Sequence, residues 1–162
     1  RAGAVPRFYA SGKHAGILAE LDGKGISVPV MDGPIGSASG LKMVYAALTK
    51  GTAALYASTL MTAKSLDLYE DLIGELEQSQ ADTLTAMNSV KTVSSKAFRW
   101  IGEMDEIAAT FGDAGTTSKI HEGASETFQQ IAVSSIGHER VDSIDKSRSL
   151  EDSIAAMLKR AD

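Results

Sequence analysis

The segment GPIGSASGLKMVYAALTKG, Gly33 to Gly51, holds the residue types and spacings in this chain that best suit chemistry. It places a glycine-rich turn after a short β-branched run, and a lysine, Lys42, on the first turns of a long helical pattern. Glycine in such a turn permits positive φ and lets a ligand approach the backbone. The N-terminus of the following helix offers unpaired N–H groups and partial positive charge, so Gly36, Ser37, Ala38 and Ser39 can receive a carboxylate, with Lys42 just beyond. Taken alone, the same residues also fit an ordinary turn and a solvated lysine, because neither a GxxG spacing nor a lone lysine specifies a reaction.

Other side chains have two readings each. Tyr45 offers a hydroxyl or packs in an apolar stripe. Thr49 and Lys50 lie about two turns past Lys42 on nearly the same face, either extending a cleft or forming a plain helix surface. Trp100 beside Arg99 supplies an aromatic wall and a carboxylate partner, or simply packing. His121, close to Lys119 and Glu122, is a polar group at a helix start or a structural histidine. His14 and His138 have no partners at metal-ligand spacing and no catalytic triad can be assembled, so no metal is assigned.

The elements that must position these residues follow from hydrophobic spacing. PRFYASG, HAGILAELDGKG and ISVPV read as strand, helix and strand over residues 6–32. One such step cannot bury both faces of its strands, which implies an incomplete α/β layer. From Ser37 to about Leu66, Leu41, Val44, Tyr45, Leu48, Leu55 and Thr59 recur at three- and four-residue steps, a helix of about seven or eight turns. A second helix is expected from Leu68 to Met87. A third follows, capped by Ser94 or Ser95, with Phe98, Ile101, Met104, Ala108 and Phe111 on one face and an end at Gly112 or Gly115. Residues 117–137 suggest a fourth helix containing Ile120, Phe128 and Ile131. Ser149 to Asp152, SLED, resembles a capping box opening a last helix through Met157 and Leu158.

Composition narrows the function classes. The 162 residues are 43% hydrophobic, enough for a core in a single-domain length. With 21 acidic against 16 basic residues and no basic block, nucleic acid is a poor partner. The absence of cysteine removes thiolate metal sites and cysteine nucleophiles and suits a cytoplasmic protein. The charge-free stretch from Gly51 to Ala63 is too short for a bilayer, which needs about 20 residues, so no membrane association is expected. The opening RAGAVPRFYASG has neither a signal core nor a cleavage pattern, and its first residue is not Met, which reads as the start of a fragment.

The turn and helix resemble the β-hydroxyacid dehydrogenases, the group containing 3-hydroxyisobutyrate and 6-phosphogluconate dehydrogenases. Gly33, Gly36, Ala38 and Lys42 fall on that family's G-x-x-G-x-G/A-x-x-x-K pattern. LKMVYAALTKG at 41–51 and RWIGEMDEIAATF at 99–111 are similar to the branch with a phosphogluconate-dehydrogenase-like C-terminal domain. The resemblance implies a mainly α fold: a C-terminal helical bundle with a long interdomain helix, preceded by a residual β-α-β piece of a Rossmann-type domain. Residues 1–32 would be the terminal strand-helix-strand of that dinucleotide-binding domain. Residues 33–162 would be the all-helical C-terminal substrate and dimerisation domain.

It further implies an NAD(P)-dependent oxidoreductase in which Lys42 exchanges a proton with the hydroxyl or carbonyl of a hydroxy- or keto-acid. Burying a lysine beside a cleft makes such transfer feasible near neutral pH. Gly36, Ser37, Ala38, Ser39, Tyr45, Trp100, Glu103 and His121 are the candidate substrate-binding residues. NADP or NAD would be bound mainly by the missing N-terminal domain, because no strand followed by GxGxxG occurs here, and the fragment alone should be inactive. A homodimer through the helical domain is expected. Two departures stand out: Ala46 occupies the place of the family's substrate-binding asparagine, and Glu103 that of a second lysine. A carboxylate there would oppose an anionic substrate. The competing reading is a non-catalytic helical dimerisation module with a solvated Lys42.

Overall fold

A computed structural model describes residues 3–161. It is mainly α, with nine strands and helices in the order β1 (Ala10–Ser11), α1 (Ala15–Leu18), β2 (Val30–Met31), α2 (Ser37–Ser65), α3 (Tyr69–Ser79), α4 (Ala81–Met87), α5 (Ser94–Asp113), α6 (Lys119–Ala132) and α7 (Leu150–Leu158) among the described residues. The described residues form two compact units that divide inside α2, between Tyr45 and Ala46. The first turns of α2 are tied to the β-α-β piece by the Ala38 N–H, which donates to Ser11 Oγ at 3.0 Å.

In the first unit β1 and β2 pair in parallel, Ala10 opposite Val30 and Ser11 opposite Met31. The pairing extends backward through an Arg7–Ser27 bridge, with the Phe8 N–H donating to the Ser27 carbonyl at 2.8 Å and the Ser27 N–H to that of Pro6 at 2.8 Å. The expected strands are therefore present, with regular ladder only at their ends. The crossover helix is shorter than its sequence suggests: α1 and a 3-10 turn stop at Leu21. Asp22 turns outward in φ/ψ and its Oδ1 accepts the Val28 N–H at 2.7 Å, which starts the return to β2. Ala10, Ala15 and Val28 form a small core with Ile26 against it.

The second unit is built around α5 and α6, an antiparallel hairpin in which Phe111 meets His121 and Trp100 meets Phe128. Leu60, Val90, Ala97, Met104, Ile107, Phe128, Ile131 and Ile154 are fully buried. The single helix expected over residues 68–87 is two, interrupted at Gln80, whose φ of −146° and ψ of 51° leave the helical region. Ser94 and Ser95 do not cap α5, because a 3-10 turn, Asn88–Thr92, runs into it and leaves no free N-terminus. Ser94 Oγ instead donates to buried Glu139, and Ser95 Oγ to the Thr92 carbonyl. α6 ends at Ala132, earlier than expected, because residues 133–137 close into turns held by Ser134 Oγ on the Ile131 carbonyl. The cap on α7 is as read: Ser149 Oγ accepts the Asp152 N–H at 3.0 Å and donates to Asp152 Oδ2 at 2.7 Å.

The orientation of α2 differs from its expected apolar face. Leu41, Val44, Tyr45, Leu48 and Leu55 are exposed, and the buried positions are Ala46, Ala47, Ala54, Ala57, Leu60, Met61 and Ala63. Small residues let neighbouring backbones approach closely, so the alanine side is the one that packs and the larger aliphatic side chains stay outward. No helix among the described residues is long and apolar enough to cross a membrane.

Candidate active site

Lys42 lies on the second turn of α2, eleven residues after the close of β2 at Met31. Two glycines shape the turn between β2 and α2. Gly36 has φ 101° and Gly33 φ 151°, and a Cβ on Gly33 would meet Ser37 Oγ at 2.6 Å. Both values disfavour an L side chain, so these positions bring the chain tightly from β2 into α2.

Within the first unit, Lys42 borders a cavity of about 580 Å³. Ala38, Ser39, Leu41 and Tyr45 of α2 form one side and Arg7, Phe8 and Tyr9 the other. Thus Lys42, Ala38, Ser39 and Tyr45 come together as candidates, while Gly36 and Ser37 shape the approach without lining it. Lys42 is exposed, as are Tyr45, Phe8 and Tyr9. The helix start is partly satisfied from within, because the Ala38 N–H is already taken by Ser11 Oγ. A carboxylate at Gly36 to Ser39 would therefore find fewer free donors than the bare helix terminus offers. Neither Lys42 nor Arg7 has an ion-pair partner among the described residues. Arg7 and Ser11 escaped the sequence reading. Both sit in a run recognisable only as a strand, and their approach to α2 depends on the parallel pairing with residues 27–31.

The remaining candidates belong to the second unit. Glu103 accepts from Lys50 Nζ at 2.8 Å and from Arg99 Nε at 3.3 Å, so its charge is neutralised in a link between α2 and α5. Lys50 thus has its partner on α5. Trp100 meets Phe128 edge-on, ring centroids 5.2 Å apart, with Lys96 Nζ 5.6 Å from its ring centre. His121 is only 7% exposed. Its ring packs 4.2 Å from that of Phe111 and its Nδ1 has no hydrogen-bond partner among the described residues. A Cβ on Gly51 would lie 4.0 Å from that nitrogen. Burial holds the His121 pKa below its ordinary value. Ala46 is buried in the packed side of α2.

The pyrophosphate of a dinucleotide is typically held by a glycine-rich turn at the start of a helix that follows a strand. The helix after β1 is a single turn, Ala15–Leu18, with no side-chain cap at His14, and the helix after β2 has its Ala38 N–H occupied.

The chain is similar to several known proteins. The family described as "Domain of unknown function (DUF1932)" matches residues 63–131. A protein of Methanothermus fervidus, described as an uncharacterized 28.5 kDa protein in a 7S RNA 5' region, is 29% identical over 89 residues, 55% of this chain and 36% of that protein. A conserved hypothetical protein from Sinorhizobium meliloti 1021 has the same fold, with a TM-score of 0.72 at 21% identity, over 94% of this chain and 51% of its own. A further solved structure, of a conserved protein described as structurally similar to 3-hydroxyacid dehydrogenases, has a TM-score of 0.63 at 28% identity, over 82% of this chain and 52% of its own. The chain thus spans about a third of the curated relative and about half of each solved neighbour.

Proposed function

We propose, on the premise that this chain resembles the C-terminal part of 3-hydroxyacid-dehydrogenase-like proteins, as the family match and the solved neighbours support, that it supplies the acid–base lysine of an NAD(P)-dependent oxidoreductase. The observation that carries this reading is Lys42 at the rim of a cavity, on the helix that leaves the glycine turn, with no carboxylate paired to it among the described residues. An unpaired ammonium can give its proton to a substrate carbonyl and take it back from the hydroxyl. Lys42 is exposed, so a substrate can reach it from solvent.

The cofactor, NADP or NAD, would be held by segments other than those described, and the substrate would be a small molecule such as a hydroxy- or keto-acid. Alone, this chain would be inactive, and a cytoplasmic setting suits such chemistry. Replacing Lys42 by Ala in the full-length protein should lower turnover about 10²- to 10⁴-fold with folding unchanged, the range for loss of a positioned acid–base group. An alanine variant as active as the parent, assayed by nicotinamide absorbance against a panel of hydroxy acids, would remove the proposal.

A second reading has its own observation. Leu48, 72% exposed, and Leu55, 62% exposed, project from α2 as large aliphatic side chains. Such a surface suits a homodimer through the helical domain. As a non-catalytic dimerisation module the protein would self-associate at micromolar concentration in sedimentation equilibrium, and Leu48→Glu would return it to monomer.

A further inference from the structure

The cavity beside Lys42 holds a second cation that the proton-transfer reading leaves without a task. Arg7 is fixed at its backbone by the parallel bridge to Ser27, so its side chain leaves the strand from a defined position. It has no ion-pair partner among the described residues, and no acidic residue appears among those described as lining the cavity. In a chain of net charge −5, two unpaired cations facing one cavity are a local reversal of sign. An anion is the ligand that resolves it.

Three aromatic rings share the same space. Phe8, Tyr9 and Tyr45 are all exposed and all line the cavity. An aromatic ring that lines a cavity packs favourably against a flat apolar body. A volume of about 580 Å³ also exceeds what a three- or four-carbon acid requires and falls within the range that holds a drug-sized ligand.

We infer that Arg7 is the specificity-determining residue of the Lys42 cavity, binding the carboxylate of a substrate whose body is aromatic or comparably flat and apolar. The planar guanidinium matches a carboxylate with two parallel hydrogen bonds, whereas the ammonium of Lys42 is a point donor suited to a single oxygen. The two cations divide the ligand accordingly: Arg7 takes the carboxylate, Lys42 takes the oxygen that reacts, and the rings of Phe8, Tyr9 and Tyr45 take the body. This assignment rests on the reading of the Lys42 cavity as a substrate site.

The test uses the 162-residue chain, with phenylacetate, phenylacetamide and acetate as probes in a ligand titration followed by protein NMR shifts. Phenylacetate should bind saturably, with phenylacetamide, which lacks the charge, and acetate, which lacks the ring, each weaker by about tenfold or more. Arg7→Gln should weaken phenylacetate by about tenfold, with Arg7→Lys intermediate, and circular dichroism should show both variants folded as the parent. Phenylacetate affinity unchanged in a folded Arg7→Gln variant would overturn the inference. So would equal binding of the amide, equal binding of acetate, or no saturable binding of phenylacetate. Because this readout needs no turnover, an active Lys42→Ala full-length enzyme together with Arg7-dependent binding would remove the role of Lys42 and leave Arg7 standing. The opposite pair of results would do the reverse.

Discussion

His121 and Glu139 are the buried ionisable residues whose environments have consequences at the scale of single side chains. His121 has no partner for Nδ1 and lies between Phe111 and the bare backbone of Gly51, so protonation would place a charge in an apolar contact. Its pKa is lowered by burial from an ordinary value of 6.5. The unfolded chain therefore binds the proton first as pH falls. Stability from the neutral ring is complete above about 6.5 and is lost as pH drops through the lower folded value. Urea midpoints should fall between pH 7 and pH 5, and His121→Phe should flatten that part of the profile; an unchanged slope would show that another group causes it. Glu139 differs in sign of charge but not in direction. Burial pushes its carboxyl up, while hydrogen bonds from Arg148 and Ser94 and the Arg148 charge together bring it below its ordinary value. Glu139→Ala would leave the Arg148 guanidinium buried without its partner, and a loss of about 3–5 kcal/mol in urea denaturation is expected. A loss under about 1 kcal/mol would mean that the pair contributes little.

Among the elements, α7 and the glycine turn are where local sequence and structure agree most closely. Ser149 and Asp152 bond each other as their spacing implied, and Ser149→Ala should cost about 1 kcal/mol in thermal or urea unfolding. Gly36, at φ 101°, should resist a β-branched residue: Gly36→Val is expected to destabilise by about 1–3 kcal/mol, measured in the same way. These features were legible because caps and positive-φ turns depend on a few neighbouring residues. The face of α2 was not. Its period was correct, but Leu41, Val44, Leu48 and Leu55 point outward because alanine-rich close packing on the other side decided the orientation, which residue hydrophobicity alone does not encode. Ser94 and Ser95 misled for a related reason. They are cap-type residues, yet the helix they begin continues from a preceding turn, and the partner of Ser94 lies 45 residues further along the chain. The break at Gln80 carried no glycine or proline to announce it.

For the molecule as a whole, the same contrast separates the parts of the candidate site. Lys42 and the turn before it were visible as a motif, because the glycines and the lysine lie within one continuous segment. Arg7 and Ser11 were invisible, since only strand pairing brings them to α2. Glu103 read from alignment as an awkward charge near a substrate, and its pairing with Lys50 and Arg99 is a tertiary fact that spacing on α5 alone half reveals. No strand followed by GxGxxG occurs in the sequence. Calorimetric titration of this 162-residue chain with NAD or NADP should show no tight binding; a micromolar dissociation constant for either would contradict the assignment of the cofactor to other segments.

Amine rescue tests the role of Lys42 most directly. In the full-length protein, Lys42→Ala should lose about 10²-fold or more of its turnover, and added methylamine should restore part of it in proportion to its concentration while leaving the parent enzyme unaffected. Full turnover by the alanine variant without any amine would contradict the account.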